Sequence, residues 1–149
     1  MDERIKKLSK TIVDYSVKIK ENDKVLIQYE SSECKPLVKC LVNDIIEHKA
    51  IVSTKLIDLE LNSMILGRMN SEAIDFSVKQ KEFEVDNYDV FIRICYTENE
   101  YEEKNIKSHI RKEIGMKSQK VDDIRINERR WTLLNYPSKF DAYKAKMPY

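Results

Sequence analysis

Two histidines, three cysteines and scattered carboxylates are the side chains of this 149-residue chain that could carry chemistry. A catalytic zinc or cobalt site draws on histidines and carboxylates that converge at close spacing, often two histidines from one element. His48 and His109 lie far apart in the chain, each in a segment that reads as an exposed helix face, so no metal-ligating residue is assigned. Cys34, Cys40 and Cys95 are odd in number and lack the short paired spacing of a zinc knuckle or a redox motif. Pairing Cys34 or Cys95 with either histidine would make a nucleophile and base. Against that stands the ordinary use of a buried cysteine as a small apolar residue. No catalytic and no cofactor-binding residue is assigned either.

In an open α/β sheet, ligands sit beyond the carboxyl ends of the strands, which makes the loops there the place to look. After the first apolar run comes Glu30-Ser31-Ser32-Glu33-Cys34. It contains no glycine, so it cannot wrap a phosphate as a Walker loop or a dinucleotide fingerprint does. The strand ends carry Gln28, Tyr29 and Glu30, then Thr54, then Thr97, and thus lack the clustered aspartates of a phospho-receiver. Glu30 and Glu33 could bind a cation, although a solvated, helix-capping loop accounts for them. Arg93 could hold an anionic group; the alternative is a side chain on the solvated or edge side of the sheet, its stem lying on apolar neighbours. Trp131 reads as core or interface packing, and Lys104 to Lys120 as a solvated helix face.

These residues are positioned by a regular alternation of elements. Ile5, Leu8, Ile12, Tyr15 and Ile19 recur at three and four, which predicts an amphipathic helix over residues 2–20. Val25-Leu26-Ile27 predicts a strand over 24–30. Ser31 and Ser32 can cap the next helix, with Pro36 in its first turn and Leu37, Val38, Leu41, Val42, Ile45 and Ile46 as its stripe. A β-branched run from Ala50 to Thr54 follows, then helical spacing to about Met69. Asn70 or Ser71 then caps a helix carrying Ile74, Val78 and Phe83. Val90, Ile92 and Ile94 alternate with Phe91, Arg93 and Cys95 in a strand over 88–96. Ile106, Ile110 and Ile114 mark another helix, with Gly115 as a break before Val121 and Ile124. Arg130 to Tyr136 supplies the last strand, stopped by Pro137, and Phe140 to Lys146 begins a further helix. The order predicts an α/β fold: a mostly parallel open sheet of about four strands with helices on both faces, in one domain over 1–149. With only Gly67 and Gly115 available, the tight turns must use Asn, Asp and Ser.

Bulk properties fit. The chain is 42% hydrophobic and 36% charged, with 27 Lys and Arg against 26 Asp and Glu interleaved along it, which argues against a nucleic-acid partner. No stretch approaches membrane-spanning length, and the start, with Asp2 and Glu3, is unlike a signal peptide, so a reduced, cytoplasmic protein is expected.

The text MDERIKKLSKTIVDYSVKIKENDKVLI from Met1 to Ile27 resembles the opening of the thermophilic-type leucyl aminopeptidases, the aminopeptidase S and aminopeptidase T kind. In order along the chain follow Pro36-Leu37-Val38, the Tyr88 to Thr97 strand with Arg93-Ile94, Glu98-Asn99, and Arg130-Trp131-Thr132 through Tyr136-Pro137-Ser138. Two turns depart from the family pattern: Glu21-Asn22 stands where Pro-Gly is frequent, and Lys49-Ala50 where Gly-Ala is. The resemblance implies an enzyme of two domains, often dimeric, that releases amino-terminal residues from peptides with two divalent metals (Zn, Co or Mn). Their ligands would lie in a carboxyl-terminal catalytic domain with no counterpart among these 149 residues. The chain would then be a non-catalytic amino-terminal domain whose partners are that missing domain and, in a homo-oligomer, a second copy. The alternative is a free-standing α/β binding or assembly module.

Overall fold

The computed structural model describes residues 2–97 and 106–137. The helix expected at Phe140 to Lys146 lies outside them, as do Glu98-Asn99 and Ser138 of the family resemblance. Helix α1 spans Glu3–Thr11, β1 Lys24–Tyr29, α2 Lys35–Glu47, β2 Ile51–Leu56, α3 Leu59–Leu66, α4 Ser71–Asn87, β3 Val90–Cys95, α5 Ser108–Glu128 and β4 Arg130–Asn135. The strands form one sheet in the order β2-β1-β3-β4, and every pairing is parallel. This is the open α/β fold with a parallel four-stranded sheet that the alternation of elements predicts.

Contacts divide the chain into two compact units. The first holds the sheet with α1 and α2. Because side chains alternate across a strand, Val25, Ile27 and Tyr29 of β1 and Val90, Ile92 and Ile94 of β3 point to one face. There they meet Leu37, Val38, Leu41 and Ile45 of α2 and Ile12, Val13 and Val17 in a single buried cluster. The amino ends of the strands are stitched together by main-chain hydrogen bonds: Asp89 N to Lys24 O at 2.8 Å, Ile51 N to Asp23 O at 2.8 Å and Arg130 N to Asp89 O at 3.2 Å.

The first helix departs from the expected stripe. After α1 the chain widens into a π turn at Ile12–Ser16, with Val17 N bonding Ile12 O at 3.0 Å. The extra residue rotates the apolar face by about a quarter turn. Val13 and Val17 thus take core places, Tyr15 is turned out to 75% exposure, and Leu8 lies on the rim. Ser9 is buried instead, its hydroxyl donating to Asp44 Oδ2 at 2.6 Å, which ties α1 to α2.

The second unit comprises α3, α4 and α5. Asn70 caps α4, its Oδ1 accepting from Ala73 N at 2.8 Å. Helices α4 and α5 run side by side in the same direction: Ser71 Oγ donates to Glu113 at 2.7 Å, Lys117 Nζ to Asp75 at 2.6 Å and Arg129 Nε to Val85 O at 3.0 Å. Ile74, Val78, Val85, Ile110 and Val121 are buried, whereas Phe83, expected on the apolar stripe, is exposed. Gly115 does not break α5, which continues through it to Glu128. A lone glycine inside a long helix costs only about 1 kcal/mol, too little to end one that packs along its length.

Candidate functional site

The chain passes from β1 through α2 to β2 on one side of the sheet, and its next strand, β3, pairs with the other side of β1. Connections therefore diverge between β1 and β3, which makes the carboxyl ends of these two strands the topological switch point. Glu30 is the first residue past β1, and its N–H donates to Ile94 O at 3.1 Å. Its side chain is only 11% exposed; Oε2 accepts from Arg93 Nη2 at 2.6 Å and Oε1 from Tyr96 N at 3.1 Å. Parallel register sets Arg93 beside Gln28 of β1 and Leu133 of β4.

Two expectations are corrected here. Arg93 does not hang over a solvated edge; it is paired with Glu30 and 28% exposed. Glu30, expected in a solvated loop, is mostly buried because a carboxylate closing the gap between two strand ends gains charge-assisted hydrogen bonds from both sides. Glu33 stays exposed. The pairing joins residues 63 positions apart, and sequence reasoning missed it because neither residue alone signals its partner. A charged residue at the end of each of two adjacent parallel strands was the available clue.

Cys34 and Cys95 border the pair. Ser31 Oγ accepts from Glu33 N at 3.2 Å and opens a single 3₁₀ turn at Ser32–Cys34, from which α2 continues with Pro36 in its first turn. Burial pushes the Cys34 thiol up to about 11, against backbone hydrogen bonds from Ser31 and Glu30 that lower it, while the charges of the Glu30 side chain and Cys95 add to the rise. Cys95 is raised first by burial and then by Glu30, with Arg93 partly opposing. Both are protonated, weakly nucleophilic thiols. His48 cannot activate Cys34. It caps the far end of α2, a helix of 13 residues and so about 20 Å long. There its ring lies 2.7 Å from Asp44 O and 3.1 Å from Asp14 Oδ1. His109 is exposed in the first turn of α5.

Among the described residues, no three of His, Cys, Asp and Glu converge on a point where an ion could sit. They do not fit a metal centre. Among the described residues, no helix is long and apolar enough to cross a membrane.

Comparison with known proteins decides the family. The model of the thermophilic metalloprotease (M29) family matches residues 1–147. The chain belongs to that family. Among solved structures, this member of the thermophilic metalloproteases is similar to wild-type AmpT from Thermus thermophilus, with a TM-score of 0.63 at 13% identity. The match covers 90% of this chain and 36% of that one, so the chain spans about a third of the length of the AmpT chain. At that identity the likeness establishes the fold. No curated protein matches the chain in sequence.

Proposed function

We propose that this chain serves as the non-catalytic amino-terminal domain of a metal-dependent aminopeptidase that releases amino-terminal residues from peptides. Its role is support: it packs against a catalytic domain, narrows access to the cleft and contributes to dimer contacts, in the cytoplasm. Two divalent metals, drawn from zinc, cobalt and manganese, and all of their ligands belong to the catalytic domain. The observation that carries this reading is the proportion of the structural match. A third of an AmpT-type chain accounts for nearly all of this one, while family membership extends over residues 1–147. Purified 149-residue chain, assayed on leucyl p-nitroanilide with added cobalt, zinc or manganese, is expected to show no turnover. Turnover that a chelator abolishes would overthrow the proposal.

A further inference from the structure

The Glu30–Arg93 pair at the switch point is absorbed neither by the core nor by the supporting role above. A guanidinium carries five N–H donors in a rigid fork. Arg93 uses Nη2 on Glu30 and touches the Cys95 thiol; among the described residues it makes no other hydrogen bond to oxygen and no second ion pair. Glu30 is engaged at both oxygens, one on Arg93 and the other on Tyr96 N, with the Cys95 thiol also beside it. The carboxylate thus works as a tether, pinning one corner of the guanidinium, while the side chain keeps 28% of its surface open to solvent. A tethered guanidinium loses little side-chain entropy when a second acceptor arrives, and its free edge matches the planar, two-oxygen geometry of a carboxylate.

We propose that Arg93, held by Glu30 between the carboxyl ends of β1 and β3, is the anchor of a binding site for a carboxylate-bearing ligand. The site stands apart from the peptidase assignment, so a positive or negative hydrolysis assay leaves it untouched.

Nitrogen-15 NMR of the 149-residue chain tests it, with sodium acetate titrated against sodium chloride at equal ionic strength. Acetate is expected to shift the Arg93 Nε–Hε and Tyr96 amide signals to saturation, and chloride is not. Arg93→Lys, which keeps the charge and removes the fork, should weaken acetate binding roughly tenfold or more. A linear drift identical in the two salts, or unchanged acetate binding by Arg93→Lys, refutes the site. Should Arg93→Lys fail to fold, the contrast of acetate with chloride on the parent chain decides alone. Glycylglycine and its carboxamide separate the sources. Saturation by the acid and silence from the amide extend the site to peptide termini, and saturation by acetate alone restricts it to small acids. An equal response to the dipeptide and its amide overturns carboxylate recognition.

Discussion

Lys49→Gly is expected to stabilise the protein. Helix α2 ends at Glu47 with His48 as its cap, and Lys49 then takes φ of 58°, a left-handed conformation that costs an L-residue roughly 1–2 kcal/mol. Lys49 N donates to Ile46 O at 2.9 Å and Ala50 N to Ile45 O at 3.3 Å, the paired bonds of a Schellman cap in which this position favours glycine. Glycine removes the strain but loses about 0.5–1 kcal/mol more backbone entropy on folding, which leaves a net gain of about 0.5–1 kcal/mol. For a chain of 149 residues that raises Tm by about 1–4 °C. Thermal unfolding followed by circular dichroism measures it, with Lys49→Ala as the control. Alanine is as strained as lysine in this conformation, and among the described residues the exposed lysine makes no side-chain hydrogen bond or ion pair, so the control should match the parent. A lower Tm for Lys49→Gly, or an equal rise for Lys49→Ala, would show that backbone strain at this turn is not what limits stability.

Arg130 donates to Val17 O at 3.0 Å and Lys18 O at 2.8 Å and pairs with the largely buried Asp23, so Arg130→Ala should cost about 2–3 kcal/mol in urea unfolding, discounted for the partial exposure of the arginine. Burial raises the Asp23 carboxyl, but hydrogen bonds from Arg130 and the Lys20 amide outweigh it and hold the group below the usual carboxylate range. The contribution is therefore complete above the ordinary carboxylate value and lost as pH falls through the depressed folded one; the stability gap between parent and Asp23→Asn should be constant at neutral pH and close in that acid window. Iodoacetamide at pH 8 should leave Cys34 unmodified in the folded chain and label it in urea, since a rise from 9.0 to about 11 lowers its thiolate fraction about a hundredfold. Ile92, fully buried at the centre of the sheet, should cost about 3–4 kcal/mol when cut to alanine.

What could be read in advance was whatever repeats with a period. The runs in β1 and β3 and the stripe of α2 are periodic and buried, and each falls where the spacing predicts, to within a residue or two. The face of the first helix was illegible because one inserted residue, invisible in composition, rotates everything after Ile12. Turn chemistry was half legible: Asn22 takes φ of 69° as an asparagine can, but Lys18 and Lys49 adopt the same region without a side chain suited to it. The two departures from the family pattern, Glu21-Asn22 and Lys49-Ala50, each contain one of these positive-φ residues. The family's frequent glycines at these turns are thus matched here by residues that accept the strain.

The topology also separates stability from recognition. Asn22 N donates to Lys49 O at 3.0 Å, and with Asp23, Asp89 and Arg130 these turns gather at the amino ends of the strands. Glu30, Cys34, Arg93 and Cys95 gather at the carboxyl ends, a strand of six residues or about 20 Å away. Sites that far apart with no shared partner add within about 0.3–0.5 kcal/mol, whereas Asn22 and Lys49, bonded to each other, should not. Lys49→Gly should therefore raise Tm by the same amount in the Arg93→Lys background as in the parent. It should also leave the acetate response of Arg93 unchanged, whereas combining it with Asn22→Gly should give less than the sum of the two.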